Sequence, residues 1–374
     1  MPQERTELQE TVFADSSRYF AALMKDIDQA VAQIDFETYI FDLDLLGREV
    51  AEKLAAAARR GVVVRLMIDG AGSSISSGKL AKQLNSSGAQ VHIYHPLPWN
   101  VDQWEWGLPR LPWLIKIQRL LERMHSRNHR KVCMIDQRIA WIGSFNVSQR
   151  HLPYEQGGEN WRDTALRLEG VGIEHLQHAF NAAWADDRSL IPRQIFHPAN
   201  IRLNHIHRRK LRRDLLQRIA STGLRIWITN AYFVPIGSIL RQLKKAARRG
   251  VDVRILLPGN SDVFFMPWAS AVFYESLLKA GVRIFEYTGG VLHAKVMLLD
   301  GWMTVGSSNI DYLSFFRNLE AEVVASLPGT KKDLEDLFLQ DLTQSAEITL
   351  NDYPQRPWWK KLAGHFLMYI KRWL

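Results

Sequence analysis

Two short segments of the chain contain residue types that could carry out acid–base chemistry and chemistry at phosphorus. Residues 128–136 read NHRKVCMID, and residues 292–300 read LHAKVMLLD. Each places a histidine two residues before a lysine, followed by an apolar run and an aspartate. A Gly-Ser-x-Asn sequence follows each of them, at 143–146 and 306–309. A single match of this kind is weak evidence, but two copies in the same order favour a catalytic role.

The chemistry of these residue types points to phosphoryl transfer. Because side chains alternate along a strand, His129 and Lys131 should share one face, as should His293 and Lys295. Histidine exchanges protons near neutral pH and can act as a nucleophile, and a neighbouring lysine adds positive charge. Two such sets facing each other would surround a phosphoryl group with cations and hydrogen-bond donors, as its transition state requires.

The aspartates that end the two motifs fit two different roles. Asp136 and Asp300 lie five residues beyond the lysines. Aspartate at such a position more often holds the end of a strand or a turn than takes part in chemistry. Both are kept as candidate catalytic residues, with the structural role as the alternative.

The elements around the motifs are also repeated. Residues 58–65 (ARRGVVVR) and 247–254 (ARRGVDVR) are identical at seven of eight positions. In each copy a helix-period segment is closed by glycine and followed by a buried strand. First strands are predicted at 36–41 and 226–233. Each half therefore reads strand, helix, strand, helix, strand, motif. This order predicts an α/β protein, with two pseudo-twofold-related α/β/α sandwich domains and the active site at their interface.

The repeat divides the chain into four parts. The first half is 1–196, a basic linker helix is 197–218, the second half is 219–350, and a tail occupies 351–374. The first half carries an insertion, mostly at 97–124, which separates its repeat from its motif.

Composition limits the class of protein. The 374 residues carry a net charge of +9, and the pI is about 9.6, which favours anionic partners. One cysteine, Cys133, excludes an intrachain disulfide and fits a reducing compartment. The polar N-terminus lacks the apolar core of a signal peptide. No stretch reaches the ~18–20 apolar residues of a spanning helix. We therefore expect a soluble or peripherally membrane-bound protein.

Two regions could contact a membrane. The insertion is rich in tryptophan, and the tail combines lysine and arginine with an apolar stripe at helical spacing. The stripe residues are Trp359, Leu362, Phe366, Tyr369, Ile370 and Trp373. The alternative is that the tail helix packs on its own domain. A third apolar stretch, 263–274, fits an acyl channel and a core helix about equally well.

Four segments carry a resemblance to a known family. RNHRKVCMID, WRDTALRLEG, AYFVP and GSSNIDYLSFFRNLEAEV resemble the phospholipase D superfamily with its paired HKD motifs, and most of all bacterial cardiolipin synthases that lack N-terminal membrane spans. The resemblance covers nearly the whole chain. It implies a two-step phosphatidyl transfer without metal or cofactor, in which two phosphatidylglycerol molecules form cardiolipin and release glycerol through a phosphohistidine.

The resemblance also implies roles for individual residues. His129 would be the nucleophile and His293 the acid and base, although the near symmetry leaves their order open. The phosphate oxygens would be bound by Lys131, Lys295, Asn146 and Asn309, with help from Ser144 and Ser307. Carboxylates that orient the histidines would be Glu320 and Asp163, with Glu322 as an alternative to them.

Other functions remain open at this point. A lipid hydrolase or a nuclease of the same superfamily would use the same catalytic groups, and a non-catalytic membrane protein would not need both motifs. The aromatic, amphipathic segments favour lipid over nucleic acid. We expect phosphatidylglycerol and a membrane surface as partners, no nucleic acid, no metal, and a peripheral location at the cytoplasmic face of a bacterial cell membrane. The oligomeric state is not predicted.

Overall fold

The computed structural model describes residues 8–97, 100, 103, 126–170, 174–187, 189, 201–352 and 357–369. Most of the tryptophan-rich insertion at 97–124, and with it the prediction that it contacts a membrane, lies outside these residues. So does the end of the tail at 370–374.

The first half forms a seven-stranded mixed sheet with the strand order β1-β7-β6-β5-β2-β3-β4. Its strands are β1 (Gln9–Phe13), β2 (Gln33–Thr38), β3 (Val63–Asp69), β4 (Gln90–Tyr94), β5 (Val132–Ile135), β6 (Ile139–Gly143) and β7 (Ala165–Glu169). The described helices of this half are α1 (Ser16–Gln29), α2 (Leu45–Arg59), α3 (Ser77–Asn85) and α4 (Glu174–Trp184). β2, β3 and β4 are parallel, and the motif strand β5 runs antiparallel to β2.

The second half repeats this sheet and adds one edge strand, in the order β15-β11-β10-β9-β12-β13-β14-β8. Its strands are β8 (Ile201–Leu203), β9 (Arg225–Thr229), β10 (Asp252–Asn260), β11 (Arg283–Val291), β12 (Val296–Leu299), β13 (Trp302–Gly306), β14 (Ala321–Val324) and β15 (Ser345–Ile348). Its helices are α5 (Asn204–Ser221), α6 (Gly237–Arg248), α7 (Met266–Ala271), α8 (Tyr274–Leu278), α9 (Tyr312–Phe316), α10 (Pro328–Thr343) and α11 (Trp358–Leu367).

Matching the strands one by one confirms the two-half α/β prediction. β2 corresponds to β9, β5 to β12 and β7 to β14, and each pair occupies the same place in its sheet. The glycines that close the repeated helices, Gly61 and Gly250, have φ angles of +93° and +90°. Glycine adopts this left-handed conformation at little cost, so the shared ARRG sequence ends α2 and α6 in the same way.

The two halves share part of their core. Among the described residues, one apolar cluster belongs to the first half and two belong to the second. A fourth contains side chains from both sheets, such as Met134 and Leu166 with Leu298 and Val323. This shared cluster holds the sheets against each other and fixes the distance between the motifs.

Two boundaries differ from the sequence-based expectation. The basic helix begins at Asn204 and ends at Ser221, because residues 201–203 pair with β14 as an edge strand. The histidine and lysine of each motif precede β5 and β12 instead of lying within them. Within the described ranges, no helix is long and apolar enough to span a bilayer.

Candidate active site

Each motif histidine lies where its chain leaves its own sheet and meets the other half. The backbone N–H of His129 donates to the carbonyl of Leu319 at 3.0 Å. In the second copy the N–H of His293 donates to the carbonyl of Arg162 at 2.9 Å. These contacts across the halves explain why the motif residues stand outside the regular strands. They also bring each histidine next to the acidic residue that follows its backbone partner.

Two histidine–carboxylate pairs result, and both cross between the halves. Nδ1 of His129 lies 3.1 Å from Oε2 of Glu320, and Nδ1 of His293 lies 2.8 Å from Oδ1 of Asp163. All four side chains are buried. Each pair fixes the orientation of one imidazole and leaves its Nε2 as the nitrogen for chemistry.

The two carboxylates are supported differently. Glu320 accepts hydrogen bonds from the hydroxyls of Ser307 and Ser314, the latter at 2.8 Å. Asp163 instead lies 2.7 Å from Nδ1 of His151, which no sequence argument had selected. Glu322, the alternative carboxylate, forms an ion pair with Arg202.

His151 and Ser314 occupy equivalent positions. The N–H of Asn146 donates to Nε2 of His151 at 3.2 Å, and the N–H of Asn309 donates to the hydroxyl of Ser314 at 3.1 Å. Because a backbone N–H can only donate, Nε2 of His151 is the acceptor and its proton is on Nδ1, directed at Asp163. Each residue lies five positions after its asparagine, a spacing that could have revealed His151 in the sequence.

Each lysine side chain folds back onto the backbone of its motif histidine. Nζ of Lys131 donates to the carbonyl of His129 at 2.8 Å, and Nζ of Lys295 donates to that of His293. Burial, and then the charge of Lys295, lower the pKa of Lys131 well below its ordinary value. Burial lowers the pKa of Lys295 to about 8, against the opposing effect of Asp163. The charge of Lys295 is therefore felt at Lys131.

Burial also sets the charge state of the histidines. It lowers the pKa of His129, assisted by Lys131 and opposed by Glu320. Burial and Lys295 lower the pKa of His293 to about 4, opposed by Asp163. Both rings are thus neutral at pH 7 in the unliganded enzyme, which is the form that can attack phosphorus.

The two carboxylates stay ionised despite their burial. Burial acts to raise the pKa of Asp163, but His293 and His151 outweigh it and hold the pKa well below its usual value. For Glu320 burial acts in the same direction, and His129 with its hydrogen bond outweighs it. Ionised carboxylates at Nδ1 stabilise the imidazolium that forms when a histidine accepts a proton.

The serines and asparagines after the motifs are buried beside the site. The hydroxyl of Ser144 bonds with the backbone of Thr164, donating at 3.3 Å and accepting at 3.1 Å. Oδ1 of Asn146 accepts from the N–H of Ile40 at 3.2 Å. Oδ1 of Asn309 has no hydrogen-bond partner among the described residues. A buried polar atom without a partner is typical of a position that meets a ligand.

The structure places Asp136 and Asp300 in turns at the far ends of the motif strands. Asp136 accepts hydrogen bonds from the N–H groups of 31–33, at 2.8 to 3.0 Å. Asp300 does the same for the N–H groups of 223–225, at 2.8 to 3.1 Å. A four-residue strand, ~13 Å long, separates each aspartate from its lysine. In this geometry both aspartates hold the end of a strand, which is the structural alternative to a catalytic role.

The described ranges contain no group of three histidine, cysteine or acidic side chains arranged to hold a metal ion.

Two sheets with the same strand order, joined around two histidine–lysine sets, define the phospholipase D class of fold and site. Phosphatidylserine synthase from Haemophilus influenzae superposes with a TM-score of 0.73 at 11% identity, over 98% of this chain and 95% of that one. Polyphosphate kinase from Porphyromonas gingivalis superposes with a TM-score of 0.64 at 13% identity, over 91% of this chain and 48% of that one. These likenesses show the fold.

Sequence comparison shows the family. The family model described as cardiolipin synthase, PLD-like domain, matches residues 23–184 and 215–342. Cardiolipin synthase B from Escherichia coli K12 is 32% identical over 379 residues, covering 95% of this chain and 87% of the relative. A cardiolipin synthase from Clostridium perfringens SM101 is 31% identical over 364 residues, covering 92% and 72%. The chain therefore belongs to the cardiolipin synthase family of phospholipase D-like proteins, and it is a phosphatidyltransferase-type enzyme of that superfamily.

Proposed function

We propose that this enzyme joins two phosphatidylglycerol molecules into cardiolipin and releases glycerol, through a phosphohistidine. The observation that carries the proposal is the pair of neutral, buried histidines, each held at Nδ1 by an ionised carboxylate of the other half. The names of its relatives supply the lipid class, because they are cardiolipin synthases.

In the first step Nε2 of His129 attacks phosphorus, and the bond from phosphorus to the oxygen of the headgroup glycerol breaks. The bound phosphate anion favours the protonated form of the neighbouring His293, which gives its proton to the leaving oxygen. Free glycerol departs, and a phosphatidyl group remains on His129. Lys131, Lys295 and the side-chain amide N–H groups of Asn146 and Asn309 donate to the non-bridging oxygens, where charge develops.

In the second step His293, now neutral, takes the proton from the terminal hydroxyl of a second phosphatidylglycerol. The resulting oxygen attacks phosphorus, cardiolipin forms and His129 is released. His293 ends protonated, as it was when the first step began, so atoms and charge balance over the cycle. The same two residues thus serve both half-reactions in reverse order, which is why one phosphate needs two histidines.

The proposal includes a peripheral location at the cytoplasmic face of a bacterial cell membrane. It is supported by the lipid class of the substrate, the net charge of +9 and the single cysteine.

The test is a lipid product assay. Purified enzyme with phosphatidylglycerol vesicles in EDTA should give cardiolipin and free glycerol, and His129→Ala and His293→Ala should give neither. Phosphatidic acid without cardiolipin would make the enzyme a hydrolase. Cleavage of single-stranded DNA with no lipid product would overturn the lipid proposal.

A trapping experiment tests the order of the histidines. With a labelled phosphodiester that has a good leaving group, His293→Ala should keep alkali-stable, acid-labile label on the protein, and His129→Ala should not. The reverse result would exchange the two roles.

A further inference from the structure

The tail helix α11 is apolar on two opposite faces. One face packs on α7, where Gly364 allows a close approach, since an added Cβ would lie 2.5 Å from the carbonyl oxygen of Trp268. Leu367 and Met368 join the buried side chains of Met266 and Ala269. The alternative of packing on its own domain is therefore correct for this face.

The opposite face presents the apolar stripe of the sequence to solvent. At 100° per residue, its members fall within an arc of about 100°. Its described members are Trp359, Leu362, Phe366 and Tyr369, and Trp358 lies beside them; the exposed fractions are 47%, 61%, 67%, 87% and 71% in that order. We call these five residues, with Phe264, the aromatic face. Ile370 and Trp373, the other predicted members, lie outside the described residues.

Phe264 extends the arc onto the body of the second half. It is 70% exposed, and its ring contacts that of Trp268 at 5.6 Å, which in turn contacts Trp359 at 5.3 Å. A helix that buries one apolar face against its own domain and exposes another can bury the exposed face in a second apolar environment. A contiguous exposed patch of this kind marks an interaction surface.

The charges around the aromatic face indicate which apolar environment covers it. Residues 357–369 contain Lys360, Lys361 and His365 and no acidic residue. Nζ of Lys360 lies 5.4 Å from the ring centre of Trp359 and so borders the aromatic face. Tryptophan and tyrosine beside lysine suit the boundary between acyl chains and anionic headgroups.

The segment that carries Phe264 contacts the residues that follow β9. Asp262, two residues before Phe264, accepts a hydrogen bond from the hydroxyl of Tyr232 at 2.6 Å. Its charge is close enough to act on His293 and Lys295. The segment that carries Phe264 therefore also carries a carboxylate that acts on the catalytic groups.

We propose that the aromatic face docks the enzyme on an anionic phospholipid bilayer. This inference rests on the proposed function, because it names where the lipid substrate is met. The helix lies in the plane of the interface, with its glycine-containing face on the protein and its aromatic face towards the acyl chains.

Vesicle flotation tests the docking. Wild-type enzyme should bind vesicles that contain phosphatidylglycerol and bind phosphatidylcholine vesicles less. The double variant Leu362→Ser with Phe366→Ser should lose roughly 100-fold in vesicle affinity, because two large side chains no longer leave water. The matched control is Leu224→Ser with Val31→Ser, apolar residues that are 78% and 82% exposed elsewhere, and it should bind as the wild type does.

Two outcomes would overturn the docking proposal. One is unchanged vesicle affinity in the Leu362 and Phe366 variant. The other is a wild-type dimer, seen by light scattering, that this variant dissociates, because the aromatic face would then pair two copies of the chain. Circular dichroism melting of each variant shows that a lost affinity does not reflect unfolding.

A short-chain, monomeric phosphatidylglycerol separates docking from chemistry. If both proposals hold, the ratio of turnover on vesicles to turnover on the monomeric lipid falls in the Leu362 and Phe366 variant. If wild-type enzyme transforms neither lipid, the proposed function fails, while the flotation result still decides the docking.

Discussion

The two motifs present the same catalytic groups, but the residues packed behind those groups differ. Behind His129 the chain buries charged side chains. Oε2 of Glu37 accepts from Asn128 Nδ2 at 2.9 Å and lies 3.1 Å from the guanidinium of Arg130. All three side chains are almost fully buried.

The second motif has none of these groups at the equivalent positions. Leu292 and Ala294 replace the asparagine and arginine, Thr229 replaces the glutamate, and the first two join the shared apolar core. Both motifs keep the backbone hydrogen bond to the other half, at His129 and His293. The comparison shows that the contacts across the halves position the histidines, while ions or apolar packing can fill the space behind. Removing one partner of a buried ion pair costs folding free energy. The residues behind His129 should therefore tolerate substitution less well than those behind His293.

The carboxylate supports differ in a compensating way. Aspartate is one methylene shorter than glutamate, and the imidazole of His151 reaches further than the hydroxyl of Ser314. Each pair therefore fills similar space and performs the same two tasks, which are to accept from an asparagine N–H and to donate to a carboxylate.

The largest effects should come from neutralising the carboxylates. Glu320→Gln and Asp163→Asn should each lower kcat by about 10³- to 10⁴-fold, because the amide no longer fixes the tautomer or stabilises the imidazolium. Steady-state kinetics on a monomeric lipid measures this loss. Glu322→Gln is the matched control and should stay within about threefold of wild type. A loss below tenfold for both site variants would show that the pairs across the halves do not orient the catalytic rings.

A smaller effect is expected where the two supports are exchanged. His151→Ser alone should lower kcat by about 10- to 100-fold, because Asp163 is left short of a donor. Adding Asp163→Glu should restore most of the loss, since the first half then copies the second. The measured coupling should be about 1–3 kcal/mol.

The reverse exchange, Ser314→His with Glu320→Asp, is the matched test of the same compensation. Additive losses in both double variants would show that His151 and Asp163 do not act as a unit. A change confined to thermal stability, with kcat and its pH profile intact, would assign His151 a purely structural role.

The lysines predict a pH dependence. Lys295 has a pKa of about 8, so above that pH it loses its proton and the phosphate loses a cation. The value of kcat/KM on a monomeric lipid should therefore fall above about pH 8, by up to tenfold per unit. Lys295→Arg stays charged, so its basic limb should move to higher pH even if its maximum is lower. A basic limb that is identical in Lys295→Arg would exclude Lys295 as its source.

The smallest catalytic effect is expected at the aspartates that end the motifs. Asp136→Ala and Asp300→Ala should each lower the free energy of unfolding by about 1–2 kcal/mol, because three N–H groups lose an acceptor. The φ angles of +51° and +49° add strain for alanine, so asparagine variants should lose less. Denaturant unfolding measures the loss, and kcat should stay within about twofold. A kcat loss above about 100-fold at unchanged stability would make these residues catalytic.

The sequence by itself determined the duplicated α/β fold and most of the candidate site. Helix and strand periods are local, and the shared glycines end the same helices in both copies. The resemblance to the phospholipase D superfamily also pointed to the acidic candidates Glu320 and Asp163 and to the phosphate-binding set.

Only the tertiary structure decided which carboxylate meets which histidine. The two pairs join residues 191 and 130 positions apart, and no local pattern encodes such a contact. The same contacts draw the motif residues out of their strands and give His151 its role beside Asp163. The tail follows the same rule. Its helical period predicts an apolar stripe, but packing on α7 decides which side of the helix is left exposed, because a helix can turn only one face to its own domain.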